Sequence, residues 1–102
     1  MSERSSSALV SVVIPVHDAA EYISDTLSTI LSQSLQDIEV IIIDDNSADD
    51  TLKLLQSFAA NDSRIRLLNN SQNIGAGASR NMGLKIASGE YIIFLDDDDY
   101  AD

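Results

Sequence analysis

Cysteine and tryptophan are absent from the 102 residues, and proline occurs once, at Pro15. Without cysteine there is neither a disulfide framework nor a thiolate metal centre. The single histidine, His17, cannot build a zinc triad alone. Basic residues are scarce, six against 17 acids, for a net charge of −11. Such a surface repels nucleic acid and anionic lipid at long range, so nucleic acid is not expected as a partner. Apolar runs such as Val40-Ile41-Ile42-Ile43 fall far short of the roughly 18 residues of a membrane helix. Met1 to Ser7 lacks the apolar middle of a secretion signal. Residues 1–8 are expected to form a disordered tail before one domain over 9–102. The expected location is cytoplasmic, with peripheral attachment at the inner face of a membrane as the alternative. No GxxxxGK[ST] phosphate loop occurs. Gly75-Ala76-Gly77-Ala78-Ser79-Arg80 starts like a dinucleotide fingerprint, but Arg80 stands where the third glycine belongs. That stretch also follows Asn70 to Asn73 rather than the first strand, which argues against a dinucleotide fold.

What remains is an ordinary globular composition, 44% apolar and 23% charged. Leu9 to Val16 is a β-branched run closed by Pro15 and His17-Asp18, and it predicts a buried strand. Tyr22, Ile23, Leu27, Ile30 and Leu31 then recur at helical spacing. Ile38 to Ile43 predicts a second strand, broken by Asp44-Asp45-Asn46-Ser47. Leu52, Leu55, Phe58 and Ala59 mark a second helix, with Asp49 and Asp50 suited to its first turn. Ile65 to Leu68 is a short third strand. Ala78, Met82 and Ile86 mark a third helix, with Gly89 as its expected C-terminal stop. Tyr91 to Leu95 is the fourth strand, in which Tyr91 and Phe94 are expected in the core.

The order is βαβαβαβ, and strands this apolar alternating with helices indicate a three-layer α/β/α fold around a mainly parallel sheet. Ligands of such sheets sit beyond the carboxyl ends of the strands. His17-Asp18, Asp44-Asp45 and Asp96 to Asp99 would all gather there. Eight of the 17 acids lie in Asp44-Asp45, Asp49-Asp50 and Asp96 to Asp99. Clustered acids are often a solvated surface or loop caps. Carboxylates forced together at a strand end are instead relieved by a cation. Mg²⁺ or Mn²⁺ prefers such oxygen ligands and commonly bridges to the phosphates of a substrate.

Four stretches carry a family resemblance: Val10 to Asp18 (VSVVIPVHD), Glu39 to Asp50 (EVIIIDDNSADD), Asn73 through Gly83, and Gly89 to Asp99 (GEYIIFLDDDD). In this order and spacing they resemble the family 2 glycosyltransferases, over about Leu9 to Asp102. The resemblance implies the nucleotide-sugar-binding, Rossmann-like half of a GT-A fold. It also implies transfer of a sugar, with inversion, from a nucleotide-diphosphate sugar (UDP as the expected nucleotide) to a saccharide, lipid or protein acceptor, in polysaccharide or cell-envelope biosynthesis. By position, Pro15, Val16, His17 and Asp18 line the nucleotide base, and Asp45 accepts a hydrogen bond from it. Asp44 supports the loop. Arg80 lies near the donor's phosphates or supports the acidic loops. Asp96-Asp97-Asp98 matches the DxD motif, which implies Asp98 as the main metal ligand with Asp96, and Asp96 and Asp97 near the ribose and diphosphate. Asp99 contacts the metal or caps the next segment. His17-Asp18 stands where the family usually shows Tyr-Asn, although His can still stack on a base.

The family's general base is an acid well after the DxD, and the sequence stops at Tyr100-Ala101-Asp102. The 102 residues are therefore expected to bind donor and metal without turnover. The alternative is a non-catalytic, truncated nucleotide-binding or interaction module that self-associates through an exposed sheet edge. A receiver-type phosphoacceptor domain fits less well, because there the acid pair follows the first strand rather than the second.

Overall fold

The computed structural model describes residues 8–33 and 37–97. Seven elements alternate as the sequence predicts: β1 (Val10–Val16), α1 (Ile23–Leu31), β2 (Ile38–Asp44), α2 (Thr51–Asn61), β3 (Ile65–Asn69), α3 (Ala76–Ile86) and β4 (Tyr91–Phe94). The four strands form one sheet in the order β3-β2-β1-β4, and each neighbouring pair is parallel. β1 is buried along its whole length and β2 nearly so, which is why both read as continuous apolar runs rather than alternating ones.

Each face of the sheet has its own core. Val10, Val12, Ile14 and Val16 of β1 join Val40 and Ile42 of β2 against Ile23, Leu27 and Ile30 of α1 and Leu55 of α2. Val13, Ile41 and Ile43 face the other way and meet Met82 and Ile86 of α3. The chain steps from β1 to β2 to β3 in one direction, then returns through α3 to place β4 on the far side of β1. Right-handed crossovers running in opposite directions put their helices on opposite faces, which gives the three layers. The strand order thus reverses between β1 and β4, where a crevice opens at the carboxyl ends.

Several expectations change on folding. Tyr91 and Phe94 are not core: they are 62% and 46% exposed, because β4 borders the sheet and neither of its faces is fully covered among the described residues. α3 docks through small residues. Ser79 and Gly83 are buried, whereas Ala78 is exposed. A Cβ on Gly83 would lie 2.5 Å from Val13 Cγ1 and 3.0 Å from Ile43 Cδ1, so glycine permits the helix to approach the sheet this closely. α3 stops at Ile86, with an extended Ala87, so Gly89 is not its terminator. Gly89 serves a close contact: a Cβ there would stand 2.5 Å from the Ser11 backbone nitrogen. Ala8, assigned to the tail by sequence, is buried. Residues 1–7 lie outside the described residues.

The α3–β4 connection is tied down at the opposite end of the sheet from the crevice. The Ser11 hydroxyl and both the backbone N–H and hydroxyl of Ser88 donate to Glu39 Oε2, at 2.5, 2.5 and 2.9 Å. Gly89 N–H donates to Ser11 Oγ at 2.8 Å. Burial pushes the Glu39 carboxyl up, but these bonds together outweigh it and hold it below its ordinary value.

Candidate nucleotide-sugar site

Beyond Val16 the chain turns through His17 and Asp18, the latter in the left-handed region at φ 47°. Local bonds hold Asp18 in that conformation. Its N–H donates to Ser47 Oγ at 2.9 Å, and its carboxylate accepts from Ala48 N–H at 2.7 Å. Asp44, at the end of β2, accepts from the hydroxyl and N–H of Ser47 at 2.6 and 3.2 Å. The expected loop-supporting role of Asp44 is thus what its geometry shows. The Asp49 carboxylate accepts from the N–H and hydroxyl of Thr51 at the start of α2, and that hydroxyl bond is the main cause holding the Asp49 carboxyl low. Asp50 is the N-cap residue but makes no side-chain cap bond, so the capping falls to Asp49.

Asp45 is buried and does something its neighbour does not. Oδ1 accepts from Ile74 N–H at 2.8 Å and Asn70 Nδ2 at 3.0 Å, and Oδ2 accepts from Gly75 N–H at 2.9 Å. Burial raises its pKa, yet the bonds from Ile74, Asn70 and Gly75 prevail, and the carboxyl lies below its ordinary value. Gly75 has φ 92°, a conformation that suits glycine and turns its N–H toward Asp45 just ahead of α3. Asn70 also donates to Ser79 Oγ at 3.3 Å, and Asn73 Nδ2 donates to the Asp45 carbonyl at 2.6 Å. Sequence reading missed Asn70, Asn73 and Ser79. Asn73 and Ser79 lie within a family-like stretch that gives them no role, Asn70 only in a polar run before it, and the links of Asn70 and Asn73 to Asp45 span 25 and 28 residues.

His17 Nδ1 lies 2.9 Å from the Asp45 carbonyl oxygen, and Nε2 lies 3.2 Å from the Asp18 carboxylate. The ring is about half exposed, as an open loop position suggests, but it is held on both sides. After β4, the Asp96 side chain is 65% exposed and stands 3.5 Å from Arg80 Nη2 of α3. Arg80 thus contacts the acidic turn after β4. Asp97 borders the same space from the α1 side. Between these groups lies an open cleft of 310 Å³, lined by Pro15 and Val16 at the end of β1, His17 just beyond it, Asp45 after β2, Ala76 at the start of α3, and Asp96 and Asp97 after β4. Asp18 is not among its lining residues; it braces the neighbouring loop.

Asp98 and Asp99 lie outside the described residues, and among the described residues no three acids or histidines converge to hold a metal. Asp96 offers one exposed carboxylate at the cleft, the oxygen chemistry that a hard divalent cation takes, but alone it is not a metal site.

The sequence profile of Glycosyl transferase family 2 matches residues 11–102. The chain belongs to family 2 of the glycosyltransferases. Among its family 2 relatives, the UDP-Glc:alpha-D-GlcNAc-diphosphoundecaprenol beta-1,3-glucosyltransferase WfaP of Escherichia coli is 45% identical over 92 residues. That match covers 90% of this chain and 36% of WfaP. The structure of S. aureus TarS 1-349 in complex with UDP-GlcNAc superimposes with a TM-score of 0.82 at 32% identity, over 89% of this chain and 28% of that one. The mannosyltransferase PcManGT from Pyrobaculum calidifontis, in complex with GDP-Man and Mn²⁺, shares the fold at a TM-score of 0.82 and 24% identity, over 92% of this chain and 28% of that one. The expected GT-A architecture is thus the observed one. The chain spans about a third of the length of the curated relatives it matches.

Proposed function

We propose that this chain binds the nucleotide diphosphate of an activated sugar, a UDP-sugar first, and forms the donor half of an inverting, metal-assisted glycosyltransferase of cell-envelope polysaccharide synthesis. The observation that carries the reading is the convergence of His17, Asp45 and Asp96, from three separate segments, on one cleft where the strand order reverses. The WfaP name and the TarS complex, both with UDP-sugars, support the choice of nucleotide.

In this reading Pro15, Val16 and His17 form the wall for the base, and Asp18 braces the turn that carries them. An ionised carboxylate has about four lone-pair sites, and three of those on Asp45 are taken by Asn70, Ile74 and Gly75. The remaining site on Oδ2 accepts the ring N–H of uracil. Asp96 faces the ribose and diphosphate and, with Asp98, would hold Mn²⁺ or Mg²⁺. A cation bound there offsets negative charge on the departing diphosphate. Arg80 keeps Asp96 oriented and adds positive charge beside the phosphates. In this reading the acceptor site and the base that deprotonates the acceptor hydroxyl lie outside the cleft, and the 102 residues alone bind donor without transferring sugar. No helix among the described residues is long and apolar enough to cross a membrane. On the same reading the reaction belongs to the cytoplasm or the inner membrane face, a location that the absence of such a helix does not by itself decide.

The test is calorimetric titration with UDP in Mn²⁺ and then in chelator. Saturable heat in Mn²⁺ that disappears in chelator is expected. Equal binding in both conditions overturns the metal, and no binding by folded protein overturns the uridine donor; GDP then takes its place in the titration.

A further inference from the structure

We propose that Asp97 is a positioning residue: it docks the acidic turn after β4 onto α1 and does not itself ligate donor or metal. The proposal rests on the donor-binding reading above and reassigns one residue within it. The β1–β4 ladder pairs Val10 with Tyr91 through Val13 with Phe94, and its last bond runs from Leu95 N–H to the Val13 carbonyl at 3.0 Å. β1 continues to Val16 beside β2, so from Ile14 onward it parts from β4, and the cleft opens in that gap. Past Leu95 the sheet no longer positions the acidic turn.

Asp97 takes over that role. Its carbonyl accepts from the Thr26 hydroxyl at 3.0 Å, Oδ1 accepts from the Tyr22 hydroxyl at 3.3 Å, and Oδ2 accepts from the His17 N–H at 3.3 Å. All three donors come from the β1–α1 segment. Thr26 is fully buried, and Tyr22 caps α1 one turn earlier on the same side of the helix. Asp96, the preceding residue, instead meets Arg80 on the α3 side. At the turn after β4 one acid thus goes to the α1 side and its neighbour to the α3 side. Asp97 borders the cleft, yet both its carboxylate oxygens and its carbonyl are engaged by protein.

The experiment uses the whole chain with Asp97→Ala, Asp97→Asn, Thr26→Val and Thr26→Ser. It reads amide hydrogen exchange at residues 95–97 and UDP affinity in Mn²⁺. Asparagine can still accept from His17 N–H and bond the Tyr22 hydroxyl, so it tests the anchor without the charge. Asp97→Ala and Thr26→Val should each speed exchange and weaken metal-dependent UDP binding about tenfold, the loss of one charge-assisted or buried hydrogen bond. Asp97→Asn and Thr26→Ser should restore most of both. An Asn variant that binds as poorly as the Ala variant, while its exchange stays slow, overturns the proposal, because the charge itself would then be needed by a ligand. Unchanged exchange in Asp97→Ala overturns it independently of any ligand. If the unaltered chain binds no UDP, the donor reading fails and the exchange measurement alone decides the anchor.

Discussion

Asp45 holds the floor of the cleft through bonds that require its ionised form: two backbone N–H groups and one amide point at a single carboxylate. Asp45→Ala leaves those buried donors unsatisfied and should cost about 1–3 kcal/mol in urea denaturation. The same bonds set a pH dependence. Asp45, Asp49 and Asp62 all titrate below their ordinary value of 3.8, and Glu39 below 4.5. A depressed carboxyl contributes stability that is complete above its unfolded value and is lost as pH falls through the folded one. Thermal melts should therefore hold down to the ordinary values and then fall steeply; a midpoint that stays constant to pH 3 would contradict the assignment. Asp96→Asn is the contrasting case. Its exposed side chain makes little difference to folding, but metal-dependent UDP affinity should drop at least about tenfold, an effect that calorimetry separates from a shift in the melting midpoint. The acid pair after β2 was legible as a strand-end cluster. The loop-supporting role of Asp44 was anticipated too, but the turn of Asp45 toward residues 70–75 was not, because it depends on which way the carboxylate points after the strand.

α3 shows how an element's position can hang on small residues. Its apolar spacing suggested a face through Ala78, Met82 and Ile86, whereas contact with the sheet is made by Ser79, Met82, Gly83 and Ile86. Met82 and Ile86 pack as the pattern suggested, but hydrophobicity weights large side chains while close helix–sheet approach selects small ones, so the pattern passes over Ser79 and Gly83 and misplaces Ala78. Gly83→Ala should cost about 1–3 kcal/mol by overpacking against Val13 and Ile43, read as a lower urea midpoint with an unchanged slope. β4 shows the converse. Its apolar run matches a buried strand, but burial depends on neighbours, and β4 borders the sheet with Tyr91, Ile93 and Phe94 at least 45% exposed.

For the molecule as a whole, the −11 charge and the β4 edge act in opposite directions. Charge repulsion keeps copies apart, while an exposed apolar strand edge invites pairing. Self-association of the 102-residue chain should therefore appear as salt is raised and screening shortens the repulsion. Sedimentation velocity over a range of NaCl and protein concentrations checks this; a monomer throughout would show that the edge is not adhesive.

The sequence by itself determined the element order, the parallel sheet and the family, because all three come from local periodicity and from motifs read in register along one chain. It also placed the acid clusters at strand ends. Only the tertiary structure decided what those acids meet. Asp45 with Ile74, Asp97 with Tyr22 and Thr26, and Glu39 with Ser88 are partners from 29 to 75 residues apart. Such pairings depend on strand order and on which face each helix covers, and one chain read in order carries no direct record of either.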